Sequence, residues 1–188
     1  YLVSMSSRAL GQNYYAKKKF GSDHPGATMK YIQGDVNTSL IQTHNGITVT
    51  LYYDTKTPRP IDWIYRVQGT KGIYSGTLNK IYLEEHSPIP HQWEEIDSYM
   101  ERYDHPLWKR YHEQAYDSGH EGSDYLCMRD FIESVRKGGE SPIDVYDATT
   151  WSIISKLTQE SVANKSRPVD FPDFTRGKWA NRKPMRDA

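Results

Sequence analysis

Apolar and polar positions in the first half of the chain alternate with the period of two that is typical of β-strands. Residues 37–44 and 47–53 both alternate, and Asn45-Gly46 between them predicts a type I′ hairpin turn because both residues tolerate positive φ angles. Residues 1–7 predict another strand, and residues 12–20 predict a short helix. Further short strands are predicted over 64–68, 72–76 and 80–84. Such short connections favour antiparallel pairing.

In the second half of the chain the apolar period changes to 3.6 residues, which predicts helices. The first apolar stripe consists of Trp93, Ile96, Met100 and Tyr103. A second helix is predicted to begin at Asp104 and Pro106. The stripe of the third helix consists of Tyr125, Met128, Ile132 and Val135. Asp144 is predicted to cap a last helix that runs to about residue 163, and the proline-bearing segment from Arg167 is predicted to be extended.

Strands therefore precede helices, and this segregation predicts an α+β fold. We expect an open, mainly antiparallel β-sheet with helices packed on one face. The chain of 188 residues is interpreted as one domain over residues 1–179 and an extended tail over residues 180–188. The first residues already have a strand pattern, which indicates a fragment of a longer protein. An aromatic-rich sheet face without helices predicts a homo-oligomer formed through that face.

The charge balance excludes some classes of partner. Basic and acidic residues number 24 each, and no basic stripe is present, so nucleic acid is not an expected partner. No apolar run approaches the length of a membrane span, so no membrane segment is expected. Cys127 is the single cysteine, which rules out a disulfide within the chain, and its helical context predicts a buried thiol. The sequence leaves the compartment open between the cytoplasm and export.

The motifs of common enzyme sites are not found in the sequence. There is no glycine-rich phosphate loop between a strand and a helix, no Cys/His cluster with metal spacing and no nucleophile elbow. His105 and His112 are seven residues apart, but two histidines do not make a metal site. We therefore expect no nucleotide-binding site and no metal site within this chain.

The first candidate binding loop is Gly119-His120-Glu121-Gly122, which enters a predicted helix. Glycines at a helix start let a ligand approach the backbone closely, and free N–H groups favour oxygen-rich ligands. His120 would then donate or accept a hydrogen bond with a substrate hydroxyl. The alternative is a connecting loop in which Ser123 or Asp124 is the N-cap.

The second candidate binding segment is Thr57-Pro58-Arg59-Pro60, where two prolines stiffen the chain around a guanidinium group. Arg59 in such a segment suits an anionic or sugar ligand. The alternative is an ordinary surface ion pair between Arg59 and a carboxylate.

Several strings in this order resemble the C-terminal region of the NAD-dependent α-N-acetylgalactosaminidase-like glycosidases. These glycosidases lie within the glucose–fructose oxidoreductase, inositol dehydrogenase and MocA (Gfo/Idh/MocA) superfamily. The resemblance extends from Tyr1 to about Trp179. The strings are Gly34-Asp35-Val36-Asn37-Thr38, Thr57-Pro58-Arg59-Pro60, Val67-Gln68-Gly69-Thr70-Lys71-Gly72, His105-Pro106-Leu107-Trp108, Gly119-His120-Glu121-Gly122, Asp144-Val145-Tyr146-Asp147-Ala148 and Pro172-Asp173-Phe174-Thr175-Arg176-Gly177.

The resemblance implies a partner domain: an N-terminal Rossmann domain of the parent protein, upstream of Tyr1, that holds NAD and the proton-transfer residues. It also implies a reaction in which NAD transiently oxidises a sugar hydroxyl, the aglycone is eliminated, water adds and the hydride returns. The domain seen here would contribute to the pocket for a sugar or glycoside substrate. The fragment alone is expected to bind no NAD and to be inactive.

Two departures from the family pattern lie at the candidate loops. The resemblance leads us to expect a sugar-contacting tyrosine after Thr-Pro-Arg-Pro, where this chain has Ile61. Isoleucine forms no hydrogen bond, so either Tyr65 or another ring takes over the contact or the substrate differs. The other loop has Glu121 where glycine is more usual.

Two alternatives to the glycosidase stay open at this point. One is a net NAD(P)-dependent sugar dehydrogenase of the same superfamily, and Ile61 is the residue that favours it. The other is a stand-alone sugar-binding or assembly module. The sugar, its anomer and the size of the oligomer are not determined by the sequence.

Overall fold

We describe a computed structural model of the chain that covers residues 1–54, 56–60, 62 and 64–182. The strands are β1 Leu2–Ser6, β2 Val36–Gln42, β3 Thr48–Asp54, β4 Arg66–Gly69, β5 Gly72–Ser75, β6 Lys80–Leu83 and β7 Glu94–Glu95. The α-helices are α1 Gly11–Phe20, α2 Pro25–Thr28, α3 Asp97–Tyr103, α4 Pro106–Ala115, α5 Ser123–Lys137, α6 Val145–Ser152 and α7 Ile154–Ala163. Every strand pair is antiparallel, which confirms the predicted α+β class. None of the helices in these ranges has the length and apolar character needed to cross a membrane.

The strands belong to two sheets and the chain to two compact units. One unit contains the described residues of Tyr1–Pro58 and Ile143–Met185, with a three-stranded sheet in the order β1-β2-β3. The other contains residues 59–142, with a four-stranded sheet in the order β4-β5-β6-β7. The two prolines at 58 and 60 lie between β3 and β4 and belong to neither sheet. Proline cannot donate to a ladder, which gives the physical reason for the interruption.

The core of the first unit lies where α7 packs against β1. Leu2 is fully buried there, and it is accompanied by the small polar residues Ser4, Ser39 and Ser161. The Ser161 hydroxyl accepts the backbone N–H of Ser4 at 2.9 Å and donates to the carbonyl of Arg167 at 2.8 Å. Small side chains at this contact allow the helix to approach the strand closely. The hydroxyl of Ser161 satisfies a backbone donor of edge strand β1 that would otherwise be unpaired.

The hairpin between β2 and β3 forms where the sequence predicts it, but its turn type differs. Gly46 has a φ of 80°, whereas Asn45 does not have a positive φ. The N–H of Gly46 bonds to the carbonyl of Thr43, and the N–H of Thr43 bonds to the carbonyl of Ile47. The turn is therefore the three-residue type with a single left-handed glycine, and the type I′ prediction was wrong.

The segment after α7 runs back along the first unit. Leu2 and Val169 form an antiparallel bridge, so this segment extends the edge of β1. Lys178–Asn181 is a short 3-10 helix rather than extended chain, and the ring of Trp179 contacts that of His44 at 4.5 Å between centroids. Arg182 then binds both carboxylate oxygens of Asp147 at 2.7 and 2.6 Å. Its guanidinium group holds the pKa of Asp147 below its ordinary value.

In the second unit, the structure changes three predictions from the apolar pattern. Trp93 precedes the short strand β7, so it is not part of helix α3. The predicted stripe of α5 is not its packed side, because Met128 and Val135 are 59% and 65% exposed whereas Leu126 is buried. Cys127 is exposed, so the prediction of a buried thiol was wrong. For α5 the 3.6 period located the helix, but the element that packs against the helix determines which of its faces is buried.

Candidate functional site

The turn between α4 and α5 carries the candidate loop Gly119-His120-Glu121-Gly122. The two helices pack against each other, and Arg129 on α5 joins them by lying over the Tyr111 ring of α4 at 4.1 Å from its centroid. Residues His120–Gly122 form a single short turn at the start of α5. The N-cap of α5 is Gly122, so neither Ser123 nor Asp124 has the capping role considered from the sequence.

His120 and Asp124 form a hydrogen-bonded pair at this turn. The Nδ1 atom of His120 lies 2.9 and 3.0 Å from the two carboxylate oxygens of Asp124. The hydrogen bond that His120 donates to Asp124, reinforced by the negative charge of the carboxylate, raises the pKa of His120 above its ordinary value. The His120 side chain is 84% exposed, so the imidazole is open to a ligand.

The backbone of the loop is strained. His120, Glu121 and Gly122 have φ values of 51°, 58° and 96°, so three consecutive residues are left-handed. Side chains with a Cβ rarely adopt this conformation, and each such residue costs about 1–2 kcal/mol. Strain of this kind persists only where the surroundings determine the conformation, and it is frequent at ligand sites.

Contacts with α4 determine the conformation of the loop. Gly122 is buried against Trp108 and Ala115, where an added Cβ would lie 2.9 Å from Trp108 Cζ3 and 3.0 Å from the carbonyl oxygen of Ala115. The N–H of Gly122 donates to the carbonyls of Ser118 and Gly119, both at 3.2 Å. The packed pair of helices thus fixes the backbone of the loop that carries the exposed His120.

Glu121 tests whether the loop is strained as described. Glycine at this position is expected to raise the free energy of unfolding by about 1 kcal/mol, because glycine reaches a φ of 58° without steric cost. Glu121→Ala is the matched control, since alanine removes the carboxylate but keeps the Cβ. Urea unfolding followed by circular dichroism measures both variants. An equal gain in both would assign the effect to the charge and contradict backbone strain.

Tyr65, another predicted site residue, makes its ring contact away from His120. Tyr65 is 62% exposed, and its ring meets Tyr74 at 6.2 Å between centroids. No hydrogen bond or ring contact joins Tyr65 to His120, both of which the structure describes. Arg59 is exposed. It follows a turn in which the carboxylate of Asp54 accepts the backbone N–H of Thr57. Ile61 lies outside the described residues.

Sequence reasoning proposed His120 as a candidate but did not predict its contact with Asp124. A spacing of four residues usually indicates neighbours on one helix, whereas His120 precedes the first turn of α5. The left-handed turn brings the two side chains together. In the sequence, only the two glycines of the loop indicated that such a turn could form. His105 likewise has a local role: its Nδ1 accepts the backbone N–H of Leu107 and so caps α4.

The chain does not provide a place for NAD among the residues that the structure describes. A dinucleotide site needs a glycine-rich turn between a parallel strand and a helix, and the strand pairs here are antiparallel. Over residues 1–54, 56–60, 62 and 64–182, no group of three or more His, Cys, Asp or Glu side chains could hold a metal ion. At the loop, the exposed imidazole of His120 is available for hydrogen bonding to a polar ligand.

Comparisons with known proteins place this chain in a family. The family model described as "Glycosyl hydrolase 109, C-terminal domain" matches residues 1–181. A glycosyl hydrolase family 109 protein of Stenotrophomonas maltophilia is 40% identical over 186 residues, which cover 98% of this chain and 41% of that protein. Proteins named alpha-N-acetylgalactosaminidase from Tannerella forsythia and Shewanella oneidensis are 42% and 41% identical.

These two matches cover 97% and 98% of this chain but 39% and 41% of the relatives. The chain thus spans about two-fifths of the length of the curated relatives that it matches. The match to the C-terminal model agrees with the resemblance that the ordered sequence strings carry. The chain belongs to the glycosyl hydrolase 109 family, whose C-terminal domain it contains.

Proposed function

We propose that this chain is the substrate-side domain of an NAD-dependent glycosidase that releases terminal α-linked N-acetylgalactosamine. The observation that carries the proposal is the exposed His120, held by Asp124 on a strained and well-packed turn. Two relatives with about 40% identity have names that state this substrate. In the proposed role, the ring of His120 forms a hydrogen bond with a hydroxyl of the sugar and thereby orients it.

In this proposal the cofactor is held by residues outside the chain, because the described residues do not fit a dinucleotide. NAD would supply the redox chemistry, and this chain would supply binding and orientation. Calorimetry of the chain with NAD is expected to give no binding heat. Micromolar binding would contradict the assignment of NAD to another domain.

The full-length protein tests the proposed reaction directly. We expect it to release nitrophenol from 4-nitrophenyl α-N-acetylgalactosaminide without net formation of NADH. The β-anomer is the matched control substrate, and we expect nitrophenol to be released faster from the α-anomer than from it. No nitrophenol from either anomer would contradict the glycosidase.

A net sugar dehydrogenase is the second candidate function, and Ile61 in place of the expected tyrosine is the observation that favours it. Its signature is NADH formed in proportion to free sugar consumed, without nitrophenol from the glycosides. Measuring both products in one assay separates the two reactions.

We also propose that the protein is a homo-oligomer that associates through an uncovered sheet face. Met5, Leu40 and Tyr52 project from the side of the β1-β2-β3 sheet opposite Ser4 and Ser39, and all three are more than half exposed. Large apolar side chains grouped on one face favour burial against another surface. Light scattering of the full-length protein is expected to give at least a dimer, and a monomer at high concentration would contradict the proposal.

A further inference from the structure

Asp124 has a contact that its place in helix α5 does not require. Its carboxylate turns back toward the loop and binds Nδ1 of His120 through both oxygens. The backbone N–H of Asp124 donates to the carbonyl of Gly119 at 3.3 Å, which fixes the carboxylate beside the loop. On the other side, Ser123 Oγ donates to the carbonyl of His120 at 2.7 Å. The two residues of the pair are therefore held by separate backbone contacts.

The pair determines which nitrogen of His120 carries the proton. An ionised carboxylate only accepts hydrogen bonds, so Nδ1 of His120 must be the donor. In the neutral ring the lone pair then lies on Nε2, for which the residues described provide no partner. Free imidazole exchanges between two tautomers, whereas this ring is held in one.

We propose that Asp124 is a positioning residue: it binds the Nδ1–H of His120 and thereby presents Nε2 to a hydroxyl of the bound glycoside. The neutral ring accepts a hydrogen bond from that hydroxyl, and Asp124 itself does not touch the substrate. This inference rests on the proposed function, which it deepens by assigning the roles of the two ring nitrogens.

Gly119 gives independent geometric support. An added Cβ at Gly119 would lie 2.4 Å from Oδ2 of Asp124, although the φ of −57° at this residue suits any side chain. Alanine here would meet the end of a side chain and no backbone, so Asp124 would have to rotate away from His120. The absence of a side chain at Gly119 leaves the space that the carboxylate occupies.

The first test is NMR spectroscopy of the 188-residue chain with ¹⁵N-labelled histidine. In the wild type we expect His120 to be the Nδ1–H tautomer when neutral. Asp124→Asn keeps the shape but removes the charge, and it is expected to lower the pKa of His120 and release the tautomer. Asp117→Asn, which removes an exposed carboxylate from the same α4–α5 connection, is the control and is expected to change neither. An unchanged His120 in Asp124→Asn would overturn the proposal.

The second test is kinetic and uses the full-length protein. Asp124→Asn and Gly119→Ala are both expected to raise KM for the glycoside about tenfold, with kcat much less affected, because a charge-assisted positioning contact is lost. In a His120→Ala background, Asp124→Asn is expected to have no further effect, since Asp124 acts through the ring. An undiminished effect of Asp124→Asn in that background would contradict the positioning role.

The two tests separate this inference from the proposed function. If the full-length protein has no glycosidase activity, the proposed function fails, and the NMR titration still decides whether Asp124 holds His120. If the protein is active and the titration shows no coupling of the pair, the positioning role fails alone. If Asp124→Asn does not fold, Gly119→Ala tests the same contact. The Cβ added at Gly119 meets only the side chain of Asp124.

Discussion

Gly122→Ala is expected to lower the free energy of unfolding by about 2–4 kcal/mol, because two costs combine at one atom. The residue has a φ of 96°, which disfavours any Cβ. The added Cβ would also lie 2.9 Å from the half-buried Trp108 ring and 3.0 Å from the backbone oxygen of Ala115. Backbone cannot move aside as a side-chain end can, so helix α4 and the loop would shift apart. Urea unfolding followed by tryptophan fluorescence measures the loss.

Gly138→Ala is the matched control for Gly122. Gly138 ends α5 with a φ of 60°, but no atom lies within 4 Å of an added Cβ there. Its expected loss is about 1 kcal/mol, the cost of a left-handed residue alone. The difference between the two variants then measures the packing of the loop against α4. Equal losses would show that Trp108 and Ala115 do not constrain the turn.

Ser161→Ala is expected to destabilise the protein by about 2–4 kcal/mol, an unusually large effect for the loss of a single hydroxyl group. The side chain of Ser161 is fully buried, and its hydroxyl serves the N–H of Ser4 and the carbonyl of Arg167. Alanine fills nearly the same volume, so the loss comes from two backbone groups left without a partner and not from a cavity. The N–H of Ser4 belongs to edge strand β1, so we expect faster hydrogen exchange at Ser4 as a local readout.

Ser155→Ala, on the same helix α7, is the control for Ser161. Ser155 is exposed, and the same substitution there is expected to change stability by less than about 0.5 kcal/mol. Thermal unfolding of both variants gives the comparison. A change of similar size at the two positions would mean that the buried hydroxyl does not join α7 to β1.

The strained loop also bears on how this chain differs from the usual family pattern. The resemblance leads us to expect glycine where the chain has Glu121, and the φ of 58° gives the physical reason for that preference. Here the chain tolerates the cost of a Cβ and places a carboxylate next to His120. His120 itself is also left-handed, so the loop holds the residue that we propose to bind the sugar at the expense of stability.

The sequence predicted correctly those features that depend on residues close together along the chain. The predicted strands and helices lie close to those of the structure, and Asp144 caps α6 by accepting the N–H groups of Tyr146 and Asp147. The errors share a cause. The buried side of α5 and the exposure of Cys127 depend on which neighbour packs against the helix, and a period of 3.6 carries no information about that neighbour.

What the sequence determined by itself is the α+β class, the order of the elements and, through its ordered strings, the family. These follow from periodicity, turn residues and motif order, all of which can be read along the chain. The tertiary structure alone decided that His120 pairs with Asp124 and that Gly122 is enclosed by Trp108 and Ala115. Both depend on three consecutive left-handed residues held against helix α4. Non-glycine residues rarely adopt that conformation unless packing holds them in it. The sequence does not show which element packs against the loop, so the conformation could not be predicted from it.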